Sequence, residues 1–167
     1  MNDDPGFQDY IHQINKSIRN YFDIQHQHSL FTDDYSRIFI EDESITLKIE
    51  FVNEVKYRAG KPVEYGYGLV DTPENILANK LSAIMGRDEP KDIFDIICLA
   101  ENYSFSWEEM FYHTKNKALI NEMDVEKRLC EFPVAWIKDM RWIKEPHDTE
   151  TLKLHLTTIA NDFFWRW

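Results

Sequence analysis

Cysteine is scarce in this chain: two residues, Cys98 and Cys130, in a length of 167. Two thiols cannot build a disulfide framework, which excludes the small secreted scaffolds held by several bridges. Cys98 lies in the apolar run Ile96-Ile97-Cys98-Leu99 and reads as core, so a reducing compartment is expected. Glycine (five) and proline (six) are also few, which excludes collagen-like and low-complexity classes. No apolar run approaches the ~18 residues of a membrane span. The opening residues, Met1-Asn2-Asp3-Asp4-Pro5, are acidic and no apolar stretch follows them. No signal peptide is expected, and the expected location is cytoplasmic. Positive charge is short as well, with 19 Lys and Arg against 30 Asp and Glu and a net charge of −11. The chain therefore lacks the broad electrostatic footprint of a duplex-DNA binder, although a local basic site stays open.

What is present argues for a packed domain. Hydrophobic residues make up 43% and aromatics 14%. A chain of this length can bury roughly 70% of its unfolded surface, so it needs no disulfide or metal staple. There is no internal repeat and no Ser/Gly linker.

Residues 5–22 read as a helix. Asp4 can cap it, Pro5 suits its first position, and Phe7, Tyr10, Ile11, Ile14, Ile18, Tyr21 and Phe22 form one apolar stripe. Residues 35–52 read as a β-hairpin around the polar turn Glu41-Asp42-Glu43-Ser44. Ile45, Leu47, Ile49 and Phe51 share one face of its second strand. A second extended segment, about 63–70, follows the turn Ala59-Gly60-Lys61-Pro62. Thr72 and Pro73 then open a helix that Gly86 is expected to stop in a left-handed conformation. Pro90 opens a second helix to about Glu101, and Ser106-Trp107-Glu108-Glu109 has the capping-box spacing for a third. Segments near 123–143 and 148–165 read as helical too. Strands followed by a run of helices predict an α+β fold with a helical C-terminal half. The expected division is 1–70 for a partial α/β core and 71–167 for the helical region.

The residues that could carry chemistry gather between Asp71 and Asp95. Lys80 interrupts an apolar helix face. Lys91 and Asp95 are four apart on the next helix, with Asp92 beside them and Arg87 at the elbow. The bland reading is a salt-bridged elbow, with Lys91–Asp95 as a pair contributing ~0.3–0.5 kcal/mol. The functional reading is an anion site whose lysines and arginine face triphosphate oxygens. Glu50 is a second candidate: a strand holds a carboxylate rigidly, as a metal ligand or general base requires. Its bland reading is the polar face of a half-buried strand, paired with Lys48. His26 and His28 lack convincing partners for a metal. His113 falls where a cation suits a helix C-terminus. Trp136, Trp142, Trp165 and Trp167 read as core rather than a base-stacking platform. The apolar end Phe163-Phe164-Trp165-Arg166-Trp167 either docks on the body or marks a partner surface.

Two strings together resemble a known family. Val70-Asp71-Thr72-Pro73-Glu74-Asn75-Ile76-Leu77-Ala78-Asn79-Lys80-Leu81-Ser82-Ala83-Ile84 is similar to its "edl-a-Kl-al" helix. Arg87-Asp88-Glu89-Pro90-Lys91-Asp92-Ile93-Phe94-Asp95-Ile96 is similar to its "R-x-x-x-K-D-x-x-D-(I/L)" signature. The family is the AbiEii/AbiGii-type nucleotidyltransferases, the toxins of type IV toxin–antitoxin and abortive-infection systems. The resemblance covers about residues 45 to 117 well. It implies a DNA-polymerase-β-like core with a mixed sheet, and transfer of a nucleotide from an NTP with Mg²⁺ to an acceptor that can be RNA. It implies Glu50 as metal ligand or base, Lys80 and Lys91 as phosphate-facing cations, Arg87 as a nucleotide contact, and Asp92 and Asp95 as the end of the last motif. An antitoxin is the implied protein partner.

The family also carries an N-terminal Gly-Ser or Gly-Thr turn and a D-x-D strand that supplies two metal ligands. This chain has no D-x-D anywhere. The expectation is therefore a C-terminal portion of the family pattern, inactive or incomplete in this form. A sheet edge left open by the absent strands could be covered by a homodimer. Two rivals accompany this reading: a degenerate, non-catalytic module that engages an antitoxin, another protein or RNA, and a structural α+β domain whose elbow charges only stabilise the turn.

Overall fold

The computed structural model describes residues 4–24, 29–42, 45–66, 68–138, 140–141, 143 and 148–164. The chain forms two compact units, Met1–Tyr57 and Arg58–Trp167. The class is α+β, as the order of elements predicted, and every strand pairing among the described residues is antiparallel.

The first unit combines helix α1 (Phe7–Ile18) with strands β1 (Asp23–Ile24), β2 (Leu30–Phe31), β3 (Tyr35–Asp42) and β4 (Ile45–Val52). β3 is central. β4 pairs along its whole length, from Tyr35↔Val52 to Asp42↔Ile45, while β1 and β2 pair with its two ends on the other side. Alternation sends Ser36, Ile38 and Ile40 inward. The register sets Phe51, Ile49 and Leu47 opposite them, so the expected face of β4 exists. It is only half-buried at Ile49 and Phe51, and Ile45 and Leu47 are exposed.

α1 is shorter than 5–22 and buries a different stripe. Its capping position is Gly6, and the Asp4 carboxylate accepts from the Gly6 N–H at 2.8 Å. Pro5 therefore lies in the lead-in turn rather than in the helix. At the other end, Asn20 and Tyr21 donate to Ser17 and Ile18, tightening the chain into turns that end the helix. The buried line is Phe7, Ile11 and Asn15, one residue per turn, whereas Tyr10, Tyr21 and Phe22 are exposed. Asn53 fixes the start of α1 to the β2–β3 turn. Its Oδ1 accepts from Asp4 N at 2.8 Å, and its own N–H donates to Asp34 O at 2.8 Å.

The second unit holds the hairpin β5 (Val63–Tyr65) and β6 (Gly68–Val70), then α2 (Pro73–Gly86), α3 (Pro90–Asn102), α4 (Trp107–Lys115), α5 (Glu122–Glu131), α6 (Ala135–Lys138) and α7 (Thr149–Phe164). The caps follow the sequence. Thr72 Oγ1 accepts from Asn75 N at 3.1 Å, Ser106 Oγ from Glu109 N at 3.4 Å, and Asp148 Oδ2 from Thr151 N at 3.1 Å. Gly86 closes α2 without a left-handed φ, and the next residue, Arg87, is extended. The segment expected as one helix over 123–143 is broken between α5 and α6. Pro133 disfavours helical backbone at the residue before it, and Phe132 is extended with ψ 129°. The core of this unit is built from Leu77, Leu81 and Ile84 of α2, Ile93, Ile96 and Ile97 of α3, Met110 of α4, Leu129 of α5, and Leu152 and Leu156 of α7. Cys98 is partly buried against this core, where burial first and then Glu101 and Asp95 push its thiol pKa up. Cys130 is exposed.

A buried polar latch holds the start of α2. Asn75, wholly inaccessible, accepts from Ala59 N at 2.9 Å and donates to Asp71 Oδ2 at 2.7 Å. Thr72 donates to Ala59 O at 2.6 Å, and Arg58 reaches Asp71 Oδ1 at 2.6 Å. The loop turns at Gly60, with φ +76°, and a Cβ there would sit 2.7 Å from Thr72 Cγ2. Gly60→Ala is expected to cost about 1–3 kcal/mol, through left-handed strain and displacement of the capping threonine. Urea unfolding checks it, and an unchanged midpoint would mean the latch relaxes freely.

Among the described residues no helix is long and apolar enough to cross a membrane. His26, His28, Trp142, Trp165 and Trp167 lie outside the described residues, as does the side-chain packing of Phe163 and Phe164.

Candidate functional site

Lys80 sits on the border of the buried face of α2, three residues from Leu77 and four from Ile84. Its ammonium leaves that face toward α3. There it meets Asp92 Oδ1 at 2.8 Å and Asp95 Oδ2 at 2.5 Å. Arg87, in the link between the helices, places Nε 2.7 Å from Asp92 Oδ2. Asp92 is thus gripped by one cation on each oxygen, and its side chain is wholly inaccessible to water. Lys80 is 21% exposed, Asp95 38% and Arg87 53%. The group grades from a buried anchor to an open rim.

The electrostatics follow the geometry. Burial alone would lower the pKa of the Lys80 ammonium, but hydrogen bonds and charge from Asp92 and Asp95 outweigh it and hold the pKa above the ordinary lysine value. Burial pushes the Asp92 carboxyl up, yet Arg87 and Lys80 overcome this and hold it below the usual aspartate value. The structure brings Lys80, Arg87, Asp92 and Asp95 together. It does not form the expected Lys91–Asp95 pair, because Asp95 is engaged by Lys80 across the helix boundary. Lys91 is exposed at the start of α3 and makes no ion pair among the described residues.

Glu50 belongs to the first unit, on the solvent-facing side of β4. Its Oε2 is 3.0 Å from Lys48 Nζ, and its Oε1 accepts from the Tyr35 hydroxyl. Tyr35 is a partner the sequence reading missed. The register supplies the signal: Tyr35 lies opposite Val52, hence diagonal to Glu50 on the same face. Burial first, and then the Glu50 carboxylate, raise the pKa of the Tyr35 phenol. His113 lies in the last turn of α4, with Nε2 3.7 Å from Glu109 Oε1.

A divalent metal needs carboxylate oxygens turned toward one point. Among the described residues no three His, Cys, Asp or Glu side chains converge in that way. Asp92 and Asp95 are engaged by Lys80 and Arg87, and both oxygens of Glu50 are engaged by Lys48 and Tyr35. The described carboxylates therefore do not fit a resident metal. What the elbow can do chemically is present cations at fixed positions. An incoming anion could displace the half-exposed Asp95 while Asp92 stays as the anchor.

A family model described as "Nucleotidyl transferase AbiEii toxin, Type IV TA system" matches residues 5–161. The chain belongs to this AbiEii family. The strings around Lys80 and Asp92 pointed to it, and the match extends through both units of this AbiEii chain. Two solved structures from Helicobacter pylori share its fold. JHP933 is 19% identical with a TM-score of 0.54, over 84% of this chain and 62% of that one. A candidate nucleotidyltransferase is 22% identical with a TM-score of 0.54, over 84% of this chain and 64% of that one. The AbiEii chain thus spans less than two thirds of the length of either. No curated protein sequence matches it.

Proposed function

We propose that the α2–α3 elbow binds the phosphates of a nucleoside triphosphate, in the service of nucleotide transfer to an acceptor. The observation that carries this reading is the grip on Asp92: a wholly buried carboxylate that spends one oxygen on Lys80 and the other on Arg87. Surface ion pairs rarely repay the entropy of ordering two long side chains. Here a buried anion fixes two cations at the mouth of an interhelical turn. Membership of a nucleotidyl transferase family supports the same ligand class. RNA as the acceptor rests on the family resemblance alone, and the type IV toxin–antitoxin description supports an antitoxin as the protein partner. Because no three potential metal ligands converge among the described residues, the isolated chain is expected to bind ATP without transferring its nucleotide.

The test is a fluorescence titration of the purified chain with a trinitrophenyl-ATP probe, competed by ATP. Lys80→Met and Arg87→Ala are each expected to weaken binding at least about tenfold, the scale of one charge-assisted phosphate contact. Arg87 is half-exposed, so its variant keeps the fold even if Lys80→Met loosens it. Unchanged ATP affinity in the folded Arg87→Ala chain would remove this reading.

A second reading, a non-catalytic module for an antitoxin or other protein, is favoured by a cleft of the second unit. It measures about 510 Å³ and is lined by Met85, Phe132, Pro133 and Trp136, with charged residues around them. Trp136 is 49% exposed there, its ring edge-on to Phe132. In this reading the elbow variants leave the biological effect intact.

A further inference from the structure

The sheet of the first unit ends in an open edge. β4 runs from Ile45 to Val52, and among the described residues it pairs with β3 alone. The register shows which of its backbone groups point outward. Asn53 N donates to Asp34 O at 2.8 Å, so the ladder is bonded at that position. Bonded and unbonded pairs alternate along an antiparallel ladder. Val52, Glu50, Lys48 and Thr46, opposite Tyr35, Arg37, Phe39 and Glu41, therefore turn their N–H and C=O groups away from β3. All four are exposed.

Such an edge is a template for another strand, and monomeric proteins blunt it with proline, a bulge or a very short strand. β4 has none of these. It holds no proline or glycine, and its register with β3 is unbroken from end to end. Its two charges are of opposite sign and share one face, with Lys48 Nζ 3.0 Å from Glu50 Oε2. That spacing selects the partner. If two copies of β4 pair antiparallel about a two-fold axis, their outward-bonding residues must face one another, so the register slips only in steps of two. An axis at Lys48 sets lysine against lysine, and an axis at Glu50 sets glutamate against glutamate. An axis at Ile49 sets Lys48 of each copy against Glu50 of the other, and Thr46 against Val52. The same register puts Ile49 against Ile49 and Leu47 against Phe51, joining apolar positions that a single copy leaves exposed or half-buried.

We propose that two copies of this chain dimerise edge to edge through β4, with the two-fold axis at Ile49 and a Lys48–Glu50 pair on either side of it. The occupant of the edge is a second copy because the strand is complementary to itself, and in an isologous contact each pairing is made twice. Main-chain hydrogen bonds supply the attraction. The charges fix the register, since like charges directly opposite are destabilising. The sheets of the two copies join into one, and the open edge disappears. The residues involved are separate from the α2–α3 elbow, so the proposal stands whether or not the elbow binds phosphates.

The test is sedimentation equilibrium of the full chain across the micromolar range, where a monomer–dimer equilibrium is expected. Lys48→Glu and Glu50→Lys each set like charges opposite one another, and each is expected to weaken the dimer at least about tenfold. The two changes made together rebuild the pairs with their signs exchanged, and are expected to restore the affinity to within about threefold of the unmodified chain. A strand that had simply misfolded would not recover in this way. Thr46→Pro removes an N–H that faces the partner and none that bonds β3, so it is expected to abolish the dimer and leave the circular dichroism of the monomer unchanged. In a chain carrying Cys130→Ser, Ile49→Cys is expected to cross-link two copies on oxidation, because the unbonded pair on the axis lies within disulfide reach, and Leu47→Cys is not. A monomer throughout the range overturns the proposal. So does a dimer indifferent to both charge reversals and to Thr46→Pro, a charge exchange that fails to restore affinity, or cross-linking through Leu47→Cys in place of Ile49→Cys.

Discussion

Asp92→Ala is expected to lower the free energy of unfolding by about 3 kcal/mol, the lower end of the range for breaking a buried ion pair. The low end applies because the two orphaned cations have other recourse: Lys80 keeps Asp95, and Arg87 is half-exposed to water. Asp92→Asn keeps the shape and loses the charge, so its cost should be smaller, about 1.5–3 kcal/mol for weakened charge-assisted hydrogen bonds. The pair of variants also changes the response to pH. Asp92 has a folded pKa held below 3.8, so its contribution is fully present above that value and is lost as pH falls through the lower, folded one. Lys80 has a folded pKa above 10.5, so its contribution is present below 10.5 and is lost only as pH rises through the folded value. Both contributions stand across the neutral range. Urea unfolding at a series of acid pH values should show the unmodified chain losing stability below pH 3.8 more steeply than the asparagine variant. Parallel curves, or a loss under about 1 kcal/mol in the alanine variant, would show that the grip on Asp92 does not stabilise the elbow.

Leu81→Ala is expected to cost as much, about 2–5 kcal/mol, by a different route. Leu81 follows Lys80 on α2 and is wholly buried in the core of the second unit. Its truncation removes apolar contacts and leaves a cavity, but alters no charge. The same urea series should therefore show a lower midpoint with the acid slope of the unmodified chain preserved. A cost below about 1 kcal/mol would mean that α2 and its neighbours close over the gap.

The local signals of the second unit were legible because they act within a few residues. Thr72 and Pro73 open α2, Pro90 opens α3 and Ser106 caps α4, as their chemistry demands. The members of the elbow cluster were legible too, but their pairing was not. Spacing within one helix joins Lys91 to Asp95, whereas packing of α2 on α3 gives Asp95 to Lys80, fifteen residues away. Tyr35 and Glu50 show the same limit in the sheet, since strand register decides their meeting. Asn15 was hidden for another reason: a polar residue in an apolar stripe reads as the edge of the stripe, and only burial shows it at the centre. Pro133 was in plain view, and its hold on Phe132 is what broke the helix expected to continue.

The grip on Asp92 also constrains how such a sequence can change over generations. A chain that loses Asp92 keeps two cations without their common partner. A chain that loses Lys80 keeps a buried anion held from one side only. Each first step passes through a less stable protein, and the second step recovers what the first lost, so substitutions at positions 80, 87 and 92 are expected to be strongly non-additive. The three residues are therefore expected to change together rather than one at a time.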